Sequence, residues 1–342
     1  MSAFLRLARV ELRRLLHRRA ALVLIAACLI VPVIIGVATV LDTRPPSASD
    51  LAQAEEQMEQ ARNDPSFEEN IRQCIADPQG WGGYPDDLTA EEAEKACLAD
   101  QEPRLDWYLY SPQLDIRSER DNGSGIAITL LLSMAMMLLG TTFTGHDWAS
   151  GSVSNQLLFE PRRLRVWFAK ALVVTGTATL LATVVMSSYW LAIGAVARSR
   201  DRLGDGVLLD CLQMGWRAAG VAGVAALLGF ALTMLFRSTV ATLGILFGIA
   251  LAGGILLGVF GIGDRWNPAH NVGAVVADGV QYYAETTCSP KQLEEMGDDF
   301  GGGVYCTEER TLTFGQGVGF LGTAVVGASL GSLLWFRRRD VP

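Results

Sequence analysis

The sequence predicts an all-α polytopic membrane protein, because its apolar and charged residues are separated along the chain. Half of the 342 residues are hydrophobic and the mean hydropathy is +0.27, although 19% are charged. Six runs, each of roughly the twenty residues that a helix needs to cross a bilayer, lack Asp, Glu, Lys and Arg. None of these runs alternates between polar and apolar residues, so a membrane β-barrel is excluded.

The six predicted spans set the domain organisation. In chain order they cover residues 20–41, 125–143, 171–195, 218–236, 240–262 and 318–336. The segments predicted outside the cell are residues 42–122, 196–217 and 263–317, and those inside are residues 1–19, 145–170, Arg237 and residues 337–342. We expect a bacterial plasma-membrane protein that crosses the membrane several times and has both termini in the cytoplasm.

The placement of basic residues predicts this orientation, since basic loops resist translocation. The segments assigned to the cytoplasm hold fourteen Lys and Arg against four Asp and Glu, so the net charge of −8 comes from the outer segments. Segment 196–217 is the exception, and a topology that places it inside is the alternative. It carries Arg198, Arg200, Arg202 and Arg217.

Residues 1–19 are predicted to form an amphipathic helix at the membrane surface. Leu5, Ala8 and Leu12 recur at helical spacing, whereas arginines form another stripe. A plain basic flank that only holds the first span in place is the alternative. The following apolar run is longer than the core of a signal peptide, about 7–15 residues, so we do not expect its removal.

The outer segments hold five of the six cysteines, which suits an oxidising exterior. Residues 48–76 are predicted to be helical, and prolines and glycines interrupt the chain after them. Local loops close at the least entropic cost, so we predict the disulfides Cys74–Cys97 and Cys288–Cys306, although four cysteines allow three pairings. Without CxxC motifs or clustered histidines, metal binding is the weaker interpretation.

Small residues recur four positions apart in the last two spans, a spacing that allows close helix contact. We expect them to pack helices together within the chain, and a dimer face is the alternative. The pairs are Gly244 and Gly248, Gly254 and Gly258, and Gly327 and Gly331.

Several chemical classes lack sequence support. No Gly-x-x-x-x-Gly-Lys-Ser/Thr occurs, so the chain is not expected to bind ATP phosphates itself. His-Glu-x-x-His and Gly-x-Ser-x-Gly are also absent. No predicted span carries an ionisable side chain, which argues against proton relays and against an intramembrane enzyme. We expect no cofactor and no metal in the chain and no nucleic-acid partner.

The loop at 145–170 resembles the cytoplasmic loop between the second and third helices of ABC-2 type transporter permeases. The matching positions are Asp147, Gly151-Ser152, Leu157-Leu158, Pro161-Arg162-Arg163 and Lys170. The long outer loop after span one, the basic N-terminal helix and Phe236-Arg237-Ser238-Thr239 are similar to actinobacterial members. The loop differs from many members of the family at two positions. Asp147 stands where many members have Glu, and Ser152 stands in place of Thr.

This resemblance implies the membrane subunit of an exporter, driven by a separate ATPase dimer that holds ATP and magnesium. A second permease subunit, identical or related, would complete the pathway for an amphipathic or lipid-like substrate. The implied ATPase-coupling residues are Asp147, Gly151, Leu157, Leu158, Glu160, Pro161, Arg162, Arg163 and Lys170. A membrane-embedded sensor that reads a ligand through its disulfide-stapled outer domains is the alternative function.

The residues of this loop support coupling on physical grounds as well. Gly151 permits a break after the span, and Pro161 suits the first turn of a helix. Leu157, Leu158 and Phe159 offer an apolar face that a cytoplasmic partner could bury. The alternative is an interfacial helix whose leucines face membrane lipid and whose arginines meet anionic headgroups.

Overall fold

The computed structural model describes residues 3–82, 89–109, 113–259, 264–288 and 305–338, and these are predominantly helical. The helices are α1 (Ala3–Leu16), α2 (Arg19–Asp42), α3 (Ala48–Arg62), α4 (Pro65–Ala76), α5 (Pro78–Gly82), α6 (Ala90–Gln101), α7 (Leu105–Tyr108), α8 (Ile116–Asp121), α9 (Ser124–Ala149), α10 (Ser152–Phe159), α11 (Arg163–Ser199), α12 (Val207–Phe236), α13 (Thr239–Val259), α14 (Pro268–Ala277) and α15 (Phe314–Arg338). A short 3-10 helix (Asp264–Trp266) and two strands, β1 (Val280–Thr287) and β2 (Tyr305–Leu312), complete the described elements.

Among the described residues, five helical segments are long and apolar enough to cross a membrane, which makes the chain a helical multi-pass membrane protein. They are Arg19–Asp42, Ile116–Ala149, Arg163–Ser199, Val207–Phe236 and Phe314–Arg338. The predicted span 240–262 corresponds to α13, whose side chains are described as far as Ile249. Its last predicted residues, 260–262, lie outside the described residues, as do residues 83–88, 289–304 and 339–342 of other predicted segments.

The long helices extend beyond the apolar runs that predict them. Helix α9 continues through Asp147 to Ala149, and α11 begins at Arg163, before Lys170. Both helices therefore carry ionisable side chains next to the predicted apolar runs, at Asp147 and at Lys170. The predicted loop 145–170 is mostly helical, and segment 196–217 shrinks to the short connection between α11 and α12. Cys211, predicted in that outer segment, is instead buried in α12 as a free thiol.

Helix α12 forms the centre of the bundle, packed against α9 on one side and α11 on the other. Two glycines set the distance to α9. A Cβ atom on Gly140 would overlap the carbonyl oxygen of Ala226, and one on Gly229 would overlap that of Met137. The backbones of α9 and α12 therefore meet directly, which is how small residues promote helix association in lipid.

The predicted glycine pairs play a different part. Among the residues that the structure describes, nothing lies within 4 Å of a Cβ atom placed on Gly244, Gly248, Gly327 or Gly331. The expectation that these four glycines pack helices together within the chain is thus wrong. The side chains of the region holding Gly254 and Gly258 are not described. The glycines that do bring helices together lie on α9 and α12, where the sequence analysis did not place them.

The chain divides into two units, and the smaller one spans Thr39–Leu114. The predicted helix at 48–76 is two helices there, because Asp64 caps α4 and Pro65 occupies its first turn. The predicted Cys74–Cys97 disulfide is present, with the Cα atoms 5.9 Å apart. It links α4 to α6, and both of its cysteines are buried.

The larger unit comprises Met1–Ala38 and Asp115–Pro342, and it contains a feature that the all-α prediction did not include. Strands β1 and β2 pair antiparallel, with Val280 opposite Leu312 and Thr287 opposite Tyr305. The predicted Cys288–Cys306 disulfide is present at the far end of this hairpin. Tyr282 and Leu312 pack on α14 through Ala274 and form a small apolar core.

Candidate functional site

Four buried or half-buried ionic side chains meet where α1, the end of α9 and the start of α11 come together. They are Glu11, Arg18, Asp147 and Lys170, and we call them the ion-pair cluster. Glu11 is 0% exposed, and Asp147 and Lys170 are each 1% exposed. Charged side chains are almost never fully buried unless they are paired, so this cluster is the most distinctive polar feature of the bundle.

Lys170 occupies the centre of the cluster. Its Nζ donates to Glu11 Oε2 at 2.7 Å and to Asp147 Oδ2 at 2.6 Å. One ammonium group thus joins three helices, because Glu11 lies on α1, Asp147 on α9 and Lys170 on α11. Charge-assisted hydrogen bonds of this length are about twice as strong as neutral ones.

Arg18 closes the cluster beside the start of α2. Its guanidinium pairs with Asp147 Oδ1 and also donates to the backbone carbonyl oxygen of Phe143. Both cations lie over the ring of Phe143. The ring centroid is 4.6 Å from Cζ of Arg18 and 5.2 Å from Nζ of Lys170. The two carboxylates therefore face two cations, and an aromatic ring adds cation–π attraction.

The second oxygen of Glu11 extends the cluster to α10. Glu11 Oε1 accepts from Gln156 Nε2 at 2.6 Å and from Arg14 Nη1 at 3.4 Å. Arg14 also donates from Nη2 to Ser152 Oγ at 2.8 Å. Helix α10 is thus bonded along its inner face to α1, and Val153 on the same helix is buried.

The outer face of α10 is apolar and open. Leu158 is 80% exposed and Phe159 is 90% exposed, whereas Leu157 is partly buried. Gly151 starts the helix in the left-handed conformation with φ of 65°, which glycine adopts without a Cβ penalty. The predicted break at Gly151 is therefore present, and so is an exposed apolar end to α10.

The remaining predicted residues surround the start of α11. Pro161 lies before this helix and not in its first turn, because α11 begins at Arg163 with Arg162 as its N-terminal cap. Glu160 Oε2 pairs with Arg165 Nη1 at 3.2 Å. Arg163 Nη1 donates to the carbonyl oxygen of Phe336 at 3.1 Å, which ties α11 to the end of α15. Arg162 is exposed.

The structure thus separates the predicted coupling residues into two groups. Asp147 and Lys170 are enclosed and bonded to each other, while Leu158 and Arg162 face outward. Glu11 and Arg18 were not predicted as site residues from the sequence. The burial of Glu11 could have been predicted from its position. It lies three residues after Ala8 and four before Leu15, on the apolar face of α1. Nothing in the sequence distinguishes Arg18, because the first nineteen residues contain six arginines.

Two further clefts lie in the larger unit. One, of about 590 Å³, adjoins the cluster and is lined by His17, Arg18, Phe143 and His146. Another, of about 310 Å³, is lined by Arg265, Trp266, Leu312, Gln316 and Phe320. Among the residues that the structure describes, no three His, Cys, Asp or Glu side chains come together as a metal site.

The cluster joins α1, α9 and α11 through its ion pairs. Its ionic groups are enclosed and mutually neutralised, so they hold helices in place and offer no exposed acid or base. Comparisons with protein families, with curated proteins and with solved structures each find no match to this chain.

Proposed function

We propose that the chain is the membrane permease subunit of an ABC exporter, which moves an amphipathic or lipid-like molecule outward. A separate ATPase dimer hydrolyses the ATP, and ATP and magnesium bind there and not to this chain. In this proposal α13 is the sixth span, both termini lie in the cytoplasm of the bacterial plasma membrane, and the chain itself is not an enzyme.

One observation carries the proposal, namely the two faces of α10. Its inner face is bonded to α1 through Gln156 and Ser152, and its outer face presents Leu158 and Phe159. A partner that buries the outer face can therefore move α10 and, through Glu11 and the ion-pair cluster, the ends of α9 and α11. Buried apolar anchors of this kind dominate the energetics of protein–protein interfaces.

The residues next to α10 supply the polar rim that such an interface needs. Glu160, Arg162 and Arg163 lie just after the helix, and the two arginines are among the positions that match the family pattern at this loop. Asp147 and Lys170 act in this mechanism as internal transmission residues, since both are enclosed.

A second permease subunit fits the outward-facing glycines. Gly244 and Gly248 on α13, and Gly327 and Gly331 on α15, leave open space where another helix could approach closely. The partner subunit is identical or related, and two copies would frame a pathway that a single bundle has little room for.

The test is to tag the C-terminus, solubilise native membranes in mild detergent and identify the co-purifying proteins by mass spectrometry. We expect a stoichiometric protein that carries Gly-x-x-x-x-Gly-Lys-Ser/Thr. The double variant Leu158→Asp and Phe159→Asp should lower its recovery about tenfold or more, because charges replace the exposed apolar anchors.

The matched control is Leu98→Asp with Trp107→Asp, which places the same charges on exposed apolar residues of the smaller unit. This control should retain the ATPase. An absence of any ATPase from the wild-type preparation would overturn the proposal, and undiminished recovery by the α10 variant would overturn the docking site.

The cleft beside the hairpin favours a second candidate, a membrane-embedded sensor. Trp266 and Phe320 lie with their rings 6.4 Å apart, next to the polar groups of Arg265 and Gln316. Apolar clefts with a few convergent polar groups are typical ligand sites. A wild-type preparation that lacks an ATPase would favour this sensor.

A further inference from the structure

A basic groove lies at the adjoining ends of two spans, and it shares Arg162 and Arg163 with the rim of the proposed ATPase interface. It measures about 460 Å³, and we call it the arginine groove. Its lining residues are Pro161, Arg162, Arg163, Leu164, Arg165 and Arg337. Four of these six residues carry a positive charge, and Glu160 beside them contributes one negative charge through its pair with Arg165.

The four arginines divide into two that are engaged and two that project. Arg163 donates to the last carbonyl groups of α15, and Arg165 pairs with Glu160. Arg162 and Arg337 are exposed and both line the groove, one before α11 and the other at the end of α15. The groove therefore keeps a net positive charge after its internal bonds are made.

The backbone adds to this positive potential. Helix α11 begins at Arg163 and runs for 37 residues, and its N-terminus carries the positive end of the helix dipole. At the end of α15 the opposite dipole is offset, because Phe336 O and Arg337 O accept from Arg163. An anion in the groove would thus meet guanidinium groups and a helix N-terminus together.

The surface that continues from the groove is apolar. On α11 the next exposed side chains are Leu164 and Phe168, and on α15 they are Leu334 and Trp335. Since α11 and α15 both have the length and composition of membrane spans, these side chains lie where lipid chains run. The combination of a basic rim and an apolar wall matches an amphiphile with an anionic head.

We propose that the arginine groove binds the headgroup of an anionic glycerophospholipid, with its phosphate between Arg162 and Arg337 and its acyl chains against α11 and α15. Guanidinium groups suit this ligand because they contact phosphate oxygens in a bidentate manner. The bound lipid would bridge the start of one span and the end of another. The inference does not depend on the proposed transport function, since it needs only a chain that spans a membrane.

The test is native mass spectrometry of the full chain, purified in detergent and titrated with dioleoylphosphatidylglycerol or, separately, with dioleoylphosphatidylcholine. We expect one molecule of the anionic lipid to be retained in preference to the zwitterionic lipid. The double variant Arg162→Gln and Arg337→Gln should bind it about thirtyfold more weakly, because each arginine near a lipid surface contributes on the order of 1 kcal/mol and about 1.4 kcal/mol corresponds to a factor of ten. Both side chains are exposed, so the fold should be unaffected.

The matched control is Arg6→Gln with Arg13→Gln, which removes the same charge from exposed positions of α1. It should bind phosphatidylglycerol like the wild type. Equal loss in the control and the groove variant would reduce the effect to general charge attraction and overturn the site.

Two other occupants give different results. If excess inorganic phosphate displaces the lipid, the groove is a site for free anions and the lipid assignment is wrong. If the groove variant retains phosphatidylglycerol but no longer recovers the ATPase, the arginines serve a protein partner and the assignment is again wrong.

Discussion

Residues 147–170 contain two regions with opposite environments. At the ends of this stretch Asp147 and Lys170 are each 1% exposed and bonded at 2.6 Å. In its middle Leu158 and Phe159 are 80% and 90% exposed. Polar groups are thus enclosed and apolar groups face outward, which reverses the usual distribution of these residue types.

The difference shows that one contiguous stretch of sequence can hold residues with separate tasks. The enclosed charges hold α1, α9 and α11 together, and the exposed apolar side chains remain available to a partner. Which task a residue has depends on the helices that surround it. Helix α1 covers Lys170 through Glu11, whereas nothing in the described part of the chain covers Phe159 to a comparable extent.

The largest effect on stability is expected from Lys170→Met. This substitution removes the central cation of the ion-pair cluster and keeps an apolar side chain of similar length. Glu11 and Asp147 would remain buried, with Arg14 and Arg18 as their cationic partners. Breaking a buried ion pair costs about 3–5 kcal/mol, so the midpoint of thermal unfolding in detergent should fall markedly.

Lys95→Met is the control, because it removes an exposed lysine from the smaller unit and should leave stability within about 0.5 kcal/mol of wild type. Adding Glu11→Gln to Lys170→Met should restore part of the lost stability, since it removes the charge of a buried carboxylate that has lost its closest cation. Wild-type stability of Lys170→Met alone would contradict the cluster.

A smaller effect on stability is expected when the phenylalanine of each region is replaced by alanine. Phe143 is 1% exposed and lies under Arg18 and Lys170, and Phe159 is 90% exposed. Phe143→Ala should cost about 3 kcal/mol, because it leaves a cavity that the stems of Arg18 and Lys170 fill only in part. Phe159→Ala should change stability by less than about 0.5 kcal/mol.

The same thermal assay measures both variants, so each serves as the other's control. Equal losses would mean that the end of α10 is covered by protein. A loss confined to Phe143→Ala would sharpen the distinction between the enclosed and the open region.

The membrane helices were predictable to the extent that an apolar run defines them. Five predicted runs coincide with five helices of spanning length, and the two disulfides follow from local loop closure. The helix ends were not predictable, because α9 and α11 continue through charged residues whose partners lie far away in sequence. Glu11 is 159 positions from Lys170, and no local pattern contains that information.

The candidate site was predictable in part. Asp147 and Lys170 were identified from a motif, but their burial was not, since a charge at the edge of an apolar run ordinarily faces water. The hairpin of β1 and β2 was missed as well. Its residues Tyr282 and Leu312 pack on Ala274 of α14, a contact between elements that single-segment propensity does not reveal.

The smallest predicted effect concerns the exposed charges of the unit Thr39–Leu114, where carboxylates act on helix starts. At the start of α6, Glu92 Oε2 accepts from the backbone N–H of Thr89 at 2.9 Å and from its hydroxyl at 2.7 Å. These bonds lower the pKa of Glu92 below its usual value, the backbone bond contributing most. They form half of a capping box, because the N–H of Glu92 donates to the Thr89 hydroxyl in return.

A lowered pKa in the folded state fixes the direction of the pH effect. The stabilising contribution of Glu92 is fully present above the pKa of an unfolded glutamate, about 4.3, and is lost as the pH falls through the lower folded value. Amide exchange in the first turn of α6, corrected for intrinsic rates, should therefore rise about two- to fivefold on acidification. Glu92→Gln should remove this pH dependence because glutamine keeps the hydrogen bonds without titrating, whereas Glu91→Gln leaves the Thr89 bonds in place and should retain it. A wild-type first turn that is insensitive to acid would show that this exposed carboxylate does not hold the helix start.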